Sequence, residues 1–241
     1  MSSKISNHPV LQSKLSLIRS NQTNPQEFRR TLREITFYLG YEATTNLLTK
    51  QIKVDTPVCQ NAEGLKLSQK IALIPIMRAG LGMVDAMLEL LPNSDVHHIG
   101  MYRNSSNLLP VQYYNKLPRN DIADVAYVLD PCIATAGTIT AVVSILKKWG
   151  CKSIHFIAVV ASKKGLETLN KDHPDVGVTV CKVDEELDDR GVIIPGLGDA
   201  GNRLYKTQSE DNDEELIAPS KRRKRRESED LSASDRLPNP R

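Results

Sequence analysis

The chain has 241 residues, 40% of them hydrophobic and 25% charged, with a net charge of +3. That balance suits a soluble globular protein with one good core or two small ones. The charge is too small to argue for nucleic acid as the main partner. No apolar run approaches the ~20 residues that span a bilayer, and the opening "MSSKISNHPV" lacks the apolar centre of a signal peptide. Cys59, Cys132, Cys151 and Cys181 form no CxxC pair, and the five histidines show no metal-binding spacing. A reduced intracellular protein without a disulfide framework or zinc site is expected.

In chain order, residues 24–39 read as a helix. Asn24 is placed to cap it, Pro25 suits its first position and Glu27 completes a capping box, while Phe28, Leu32, Ile35 and Leu39 line one face. Residues 70–77 read as a buried strand, 82–92 as a helix ended by Pro92, and 96–103 as a strand. Residues 111–118 alternate as an edge or hairpin strand does. A strand at 124–130, a helix at 138–150 closed by Gly150, a strand at 153–161, a short helix at 163–174 and a strand at 176–184 follow. This alternation predicts an α/β fold, a mostly parallel central sheet with helices on both faces. Ligands bind such sheets at the carboxyl ends of the strands, so the loops after 70–77, 96–103 and 124–130 should share a crevice.

The loop "LDPCIATAGT" (129–138) joins a buried strand to a helix start, whose unpaired N–H groups and dipole favour an anion. Ala134, Ala136 and Gly137 let a phosphate approach the backbone, Thr135 and Thr138 offer hydroxyls, and Asp130 suits the hydroxyls of a sugar. The loop could equally be a plain connection with Thr138 as the cap, since it is not a P-loop. In "MRAGLG" (77–82), Arg78 stands where the chain leaves the sheet and could hold a diphosphate in a bidentate way, or pair with a surface carboxylate. Arg103 ends the next strand in the same manner. The glycine-rich segment "GVIIPGLGDAGNR" (191–203) reads as irregular backbone that could recognise a flat polar ligand, or as a tight structural turn.

Together "DPCIATAGT", "PIMRAGLGMVDAMLELLP", "HIGMYRN…LPVQYYNKLP" and "IIPGLGDAGNR" closely resemble the uracil phosphoribosyltransferases, in their order and spacing, from about residue 10 to 207. The resemblance implies a type I phosphoribosyltransferase fold with a small hood built from the two chain ends. It implies conversion of uracil and 5-phosphoribosyl 1-diphosphate to UMP and diphosphate with Mg²⁺. The sugar diphosphate site implied is Arg78, Arg103, Asp130, Pro131, Cys132, Ile133, Ala134, Thr135, Ala136, Gly137, Thr138 and Asp199. Arg78, Arg103 and Asp130 would carry catalysis. The uracil site implied is Ile193, Gly198, Asp199 and Ala200. The resemblance further suggests a homo-oligomer, and GTP acts as an allosteric effector in some members. The segment 104–115 is expected to close over the site. Three positions depart from the family pattern: Ala136 where many members have glycine, Val192 where tyrosine is frequent, and Asn202 for the aspartate of "GDAGD".

Residues 208–241 hold nine acidic and eight basic side chains in blocks, with few apolar residues, and read as a disordered tail after a domain of residues 1–207. "KRRKRR" (221–226) resembles a nuclear import signal and could touch nucleic acid, or is a solvated charge run, and Ser228 follows an arginine pair as in a kinase site. A cytoplasmic enzyme, also nuclear if that signal works, is expected. The competing readings are a non-catalytic nucleotide sensor of the same fold and a transferase for another base.

Overall fold

The protein was analysed as a computed structural model that describes residues 3–104 and 109–207. In chain order the elements are β1 (Ser3–Ile5), α1 (Pro9–Arg19), α2 (Pro25–Ala43), β2 (Thr49–Val54), β3 (Ala62–Leu67) and β4 (Ile71–Met77). A 3₁₀ turn, Ala79–Met83, leads into α3 (Val84–Leu90), followed by β5 (Asp95–Val96), β6 (Ile99–Arg103), β7 (Pro110–Asn115), β8 (Val125–Leu129) and β9 (Cys132–Ile133). Then come α4 (Gly137–Trp149), β10 (Ser153–Ser162), α5 (Lys163–Asp172), β11 (Gly177–Asp184), β12 (Glu186–Leu187), β13 (Ile193–Ile194) and α6 (Ala200–Tyr205).

The central sheet runs β1-β11-β10-β8-β4-β6-β7, with β5 beside β4 and β9 beside β10. Every pair in it is parallel except β6 with β7. From β4 the chain steps to β6 on one side, then returns to β8 on the other, so the strand order reverses between β4 and β8. In open α/β sheets that reversal opens a crevice outside the strands' carboxyl ends. Here it falls between Arg78 and Asp130.

The strands are buried on both faces because successive side chains feed opposite cores. Leu73, Tyr127, Leu129 and Ile157 pack with α1 to α3, whereas Ala72, Ile74, Ala126, Val128 and Phe156 pack with α4 and α5. The helix start at 24 is as expected: the Asn24 side chain accepts from the Glu27 N–H at 2.9 Å, and Pro25 is the first helical residue. The helix continues to Ala43 rather than ending near 39. Thr36, Gly40 and Ala43 extend its buried face, and a side chain on Gly40 would collide with Met87 of α3.

Four further differences follow from contacts outside each segment. The helix expected at 82–92 begins as a 3₁₀ turn at Ala79, and the strand expected at 96–103 is interrupted at His97 and His98. Residues 200–205, which overlap the end of the stretch expected to be irregular (191–203), form α6. The β2–β3 hairpin had no sequence signature: it is largely exposed, with Val58 94% and Leu65 69% accessible, so no burial pattern marks it. All four cysteines are free, and no helix is long and apolar enough to cross a membrane among the described residues.

Candidate active site

At the carboxyl end of β8 the chain leaves the sheet through half-buried Asp130 and buried Pro131. It stays tied to β10: Val159 N–H donates to the Pro131 carbonyl at 2.9 Å, and Cys132 and Ile133 pair with Val160 and Ala161. Ala136 then adopts the left-handed conformation (φ 66°) at the position before α4. No side chain caps that helix; Thr138, a possible cap from sequence, lies one residue inside it. The first N–H groups of a 13-residue helix thus open into a loop of small residues, with the half-buried Thr135 and Thr138 beside them. Dipole and donors together make a site for an anion such as a phosphate.

Across the strand reversal, the turn after β4 approaches this loop backbone to backbone. A Cβ on Gly80 would lie 2.2 Å from the Leu129 carbonyl oxygen. The Met77–Arg78 peptide is cis, and the Arg78 side chain is exposed. Its Nη2 donates to Asn202 Oδ1 at 3.3 Å, and the Tyr205 hydroxyl donates to the Arg78 carbonyl at 3.3 Å. Burial raises the Tyr205 phenol above its ordinary pKa, which keeps the donor protonated. Asp199 accepts from the Asn202 N–H at 2.8 Å, so Arg78 and Asp199 both contact Asn202 at the start of α6. Asn202 therefore contacts the very arginine expected to bind diphosphate. Arg103 ends β6, beside β4 in the sheet, and its side chain lies outside the described residues, as do 105–108 of the expected closing segment.

The segment expected to read the base is held from several sides. Ile193 and Ile194 pair antiparallel with Leu187 and Glu186, with Ile193 buried. Gly196 and Gly198 take φ of 55° and 67°, conformations that suit glycine. Gly198 and Asp199 are exposed, and Ala200 is buried. Val192 is 39% accessible and closes a turn with Asp188, whose carboxylate accepts from the Val192 N–H at 2.7 Å and is held below the usual carboxylate range mainly by that bond.

Several supporting residues had escaped the sequence reading. Arg203 donates to the Leu197 carbonyl at 2.7 Å and the Ser20 carbonyl at 2.5 Å, and its guanidinium lies 4.3 Å from the centre of the Phe28 ring. Arg29 donates to the Leu204 carbonyl at 2.7 Å. Buried Asp184 accepts from Arg19 at 2.7 Å and from the Gly196 N–H at 3.1 Å. The two ends of the chain thus form one support for this segment. The available signal was a carboxylate closing a strand rich in β-branched residues, Asp184 after "VGVTVCKV".

The family model described as uracil phosphoribosyltransferase matches residues 5–207. The chain belongs to the uracil phosphoribosyltransferase family. It is 46% identical over 205 residues to the uracil phosphoribosyltransferase of Ureaplasma urealyticum serovar 10, a match covering 85% of this chain and 99% of that one. To the protein of the same name from Dictyoglomus thermophilum it is 48% identical over 202 residues, 83% and 97% of the two chains. Among solved structures it is similar to the AQ2163 protein from Aquifex aeolicus, with a TM-score of 0.82 and 32% identity over 86% of this chain and all of that one.

Proposed function

We propose that the chain transfers the phosphoribosyl group of 5-phosphoribosyl 1-diphosphate to uracil, giving UMP and diphosphate in pyrimidine salvage. The observation that carries this reading is the uncapped start of α4, set at the strand reversal beside Arg78 and the glycine-rich segment of the hood. The 5-phosphate lies in the loop from Ala134 to Thr138, and Asp130 accepts hydrogen bonds from the ribose hydroxyls. Substitution at the anomeric carbon passes through an oxocarbenium-like state, as in glycoside cleavage. Charge then grows on the departing diphosphate, so Arg78 and Arg103 stabilise the transition state more than the ground state. Backbone groups of Ile193 and of Gly198 to Ala200 read the base. Cytosine, with an amino donor where uracil has a carbonyl, leaves such groups mismatched.

Among the described residues no group of three or more His, Cys, Asp or Glu side chains could hold a metal ion. A Mg²⁺ carried in by the diphosphate and ribose oxygens and their waters needs no such group, and Asp130 is the loop carboxylate that would face it. Bound in this way it would offset the negative charge of the leaving diphosphate.

The test is purified protein with labelled uracil, 5-phosphoribosyl 1-diphosphate and Mg²⁺, with other bases as parallel arms. UMP formation is expected; binding of both ligands with no UMP above background would overturn the reading. The protein acts in the cytoplasm as a homo-oligomer, for which the exposed Tyr102, Tyr113 and Tyr114 beside the β6–β7 edge are suited. Light scattering checks the oligomer, and a single-chain mass at working concentration counts against it. Residues 208–241 are dispensable for turnover, so truncation after Thr207 should leave kcat unchanged. Deleting Lys221 to Arg226 should lower the nuclear fraction of a tagged protein, and an unchanged fraction rules out an import signal.

A further inference from the structure

Two polar side chains are buried at the carboxyl ends of neighbouring strands, and neither is among the residues expected to bind the ligands. Ser162, wholly inaccessible, ends β10; Asp184, 5% accessible, ends β11; they are direct partners in the parallel ladder. Each reaches a different half of the site. The Ser162 hydroxyl donates to the Ala134 carbonyl at 2.6 Å and accepts from the Gly165 N–H at 2.9 Å. The Asp184 carboxylate accepts from the Gly196 N–H at 3.1 Å while Arg19 holds its other oxygen.

The first contact sets a direction. The Ala134–Thr135 peptide is trans, so its C=O and N–H point opposite ways. With the carbonyl anchored on Ser162, the Thr135 N–H faces away from α5, towards the side on which an anion would lie. Gly165 enforces the same placement, since a Cβ there would collide with the Ala134 carbonyl oxygen. The second contact fixes the backbone just before Gly198 and Asp199.

We infer that Ser162 and Asp184 are a pair of positioning residues, one rung of the sheet that orients the phosphate loop and the base-reading segment separately. The assignment of ligands to the two halves rests on the function proposed above; the rung itself does not. It is tested on the full chain by amide hydrogen exchange without ligand, and by calorimetric binding of ribose 5-phosphate and of uracil. Ser162→Ala should speed exchange at Thr140, whose N–H donates to the Ala136 carbonyl of the loop at 2.9 Å, and weaken ribose 5-phosphate about tenfold, as expected for a buried carbonyl left without its donor. Gly196 to Gly198 should stay protected. Asp184→Asn should reverse the pattern, speeding Gly196 to Gly198 and weakening uracil.

Ile154→Ala, a cavity at the far end of the same strand, should lower Tm without favouring either segment. If Ser162→Ala does not fold, Gly165→Ala displaces the same carbonyl and keeps the hydroxyl; Arg19→Lys loosens Asp184 if Asp184→Asn does not fold. Equal acceleration of both segments in both variants, or of neither, overturns the inference. Failure of the wild-type protein to make UMP would sink the proposed function and leave the exchange contrast to decide the rung.

Discussion

Replacing Gly80 with alanine probes the closest approach between the two halves of the strand reversal. The new methyl would sit 2.2 Å from the Leu129 carbonyl oxygen, where Cβ atoms come no nearer than 3.0 Å, so the backbones must part by at least 0.8 Å. No flexible side chain can yield instead, because the next atoms met are the carbonyl carbons of Leu129 at 3.1 Å and Pro75 at 3.3 Å. Overpacking of this kind costs about 1–3 kcal/mol of stability. The functional effect should be larger. Arg78 lies two residues before Gly80 and Asp130 one after Leu129, so the separation moves the diphosphate and ribose ligands apart, and a displacement near 1 Å can cost about 10²-fold in rate. The assay is initial-rate UMP formation with the sugar diphosphate varied, beside thermal unfolding. A folded Gly80→Ala protein with kcat/KM within twofold of wild type would refute the idea that this contact sets the spacing of the site.

Arg78→Lys keeps the charge but loses the planar fork, and kcat/KM for the sugar diphosphate should fall by about one to two orders of magnitude in steady-state assays; a loss under threefold counts against a bidentate role. Asn202→Asp would turn its contact with Arg78 into an exposed ion pair, so KM for the sugar diphosphate should rise up to about fivefold, more at low salt. An unchanged KM at low ionic strength would show that Asn202 does not restrain Arg78. His155 is half-buried between β8 and β11, its Nε2 2.8 Å from Thr179 Oγ1, and desolvation there pushes it from 6.5 down to about 4, with Lys4 adding to the effect. The unfolded histidine binds a proton between those values and the native one does not, so stability present above pH 6.5 is lost as pH falls towards 4, by up to about 3 kcal/mol. Urea midpoints between pH 7 and 4.5 should show this slope, reduced in His155→Gln; His97, also lowered by burial, contributes with the same sign. A flat wild-type profile would contradict it.

Elements whose burial is local were legible in the sequence. The strands near 70–77, 124–130 and 153–161 are apolar throughout because both faces of the sheet are covered, and α2 announces itself through Asn24, Pro25 and one apolar stripe. The site was legible where backbone chemistry repeats, in the small residues of the loop before α4 and in arginines at strand ends. It was illegible where one segment depends on another far away. β1 has three residues and gains meaning only beside β11; α6 follows a glycine-rich run and is held by Arg29 and by the clamp of Arg203. Ser162 falls between the strand expected at 153–161 and the helix expected at 163–174, and its hydroxyl acts 28 residues away in the chain. The departures at 136 and 202 meant little until Ala136 was found at positive φ and Asn202 against Arg78.

The pairing of Ser3–Ile5 with Val178–Val180 has a consequence for synthesis. β1 is made long before its partner β11, so it must wait on the ribosome while some 170 residues emerge. Closing so long a loop adds only a slowly growing entropic cost, but such non-local pairing slows folding. The glycine-rich segment obeys the same order, since Ser20 and Phe28 meet Arg203 only after some 175 further residues have been made. The loop from Ala134 to Thr138 and its Ser162 anchor can therefore take shape while the support of the glycine-rich segment is still missing, so the two halves of the crevice form one after the other.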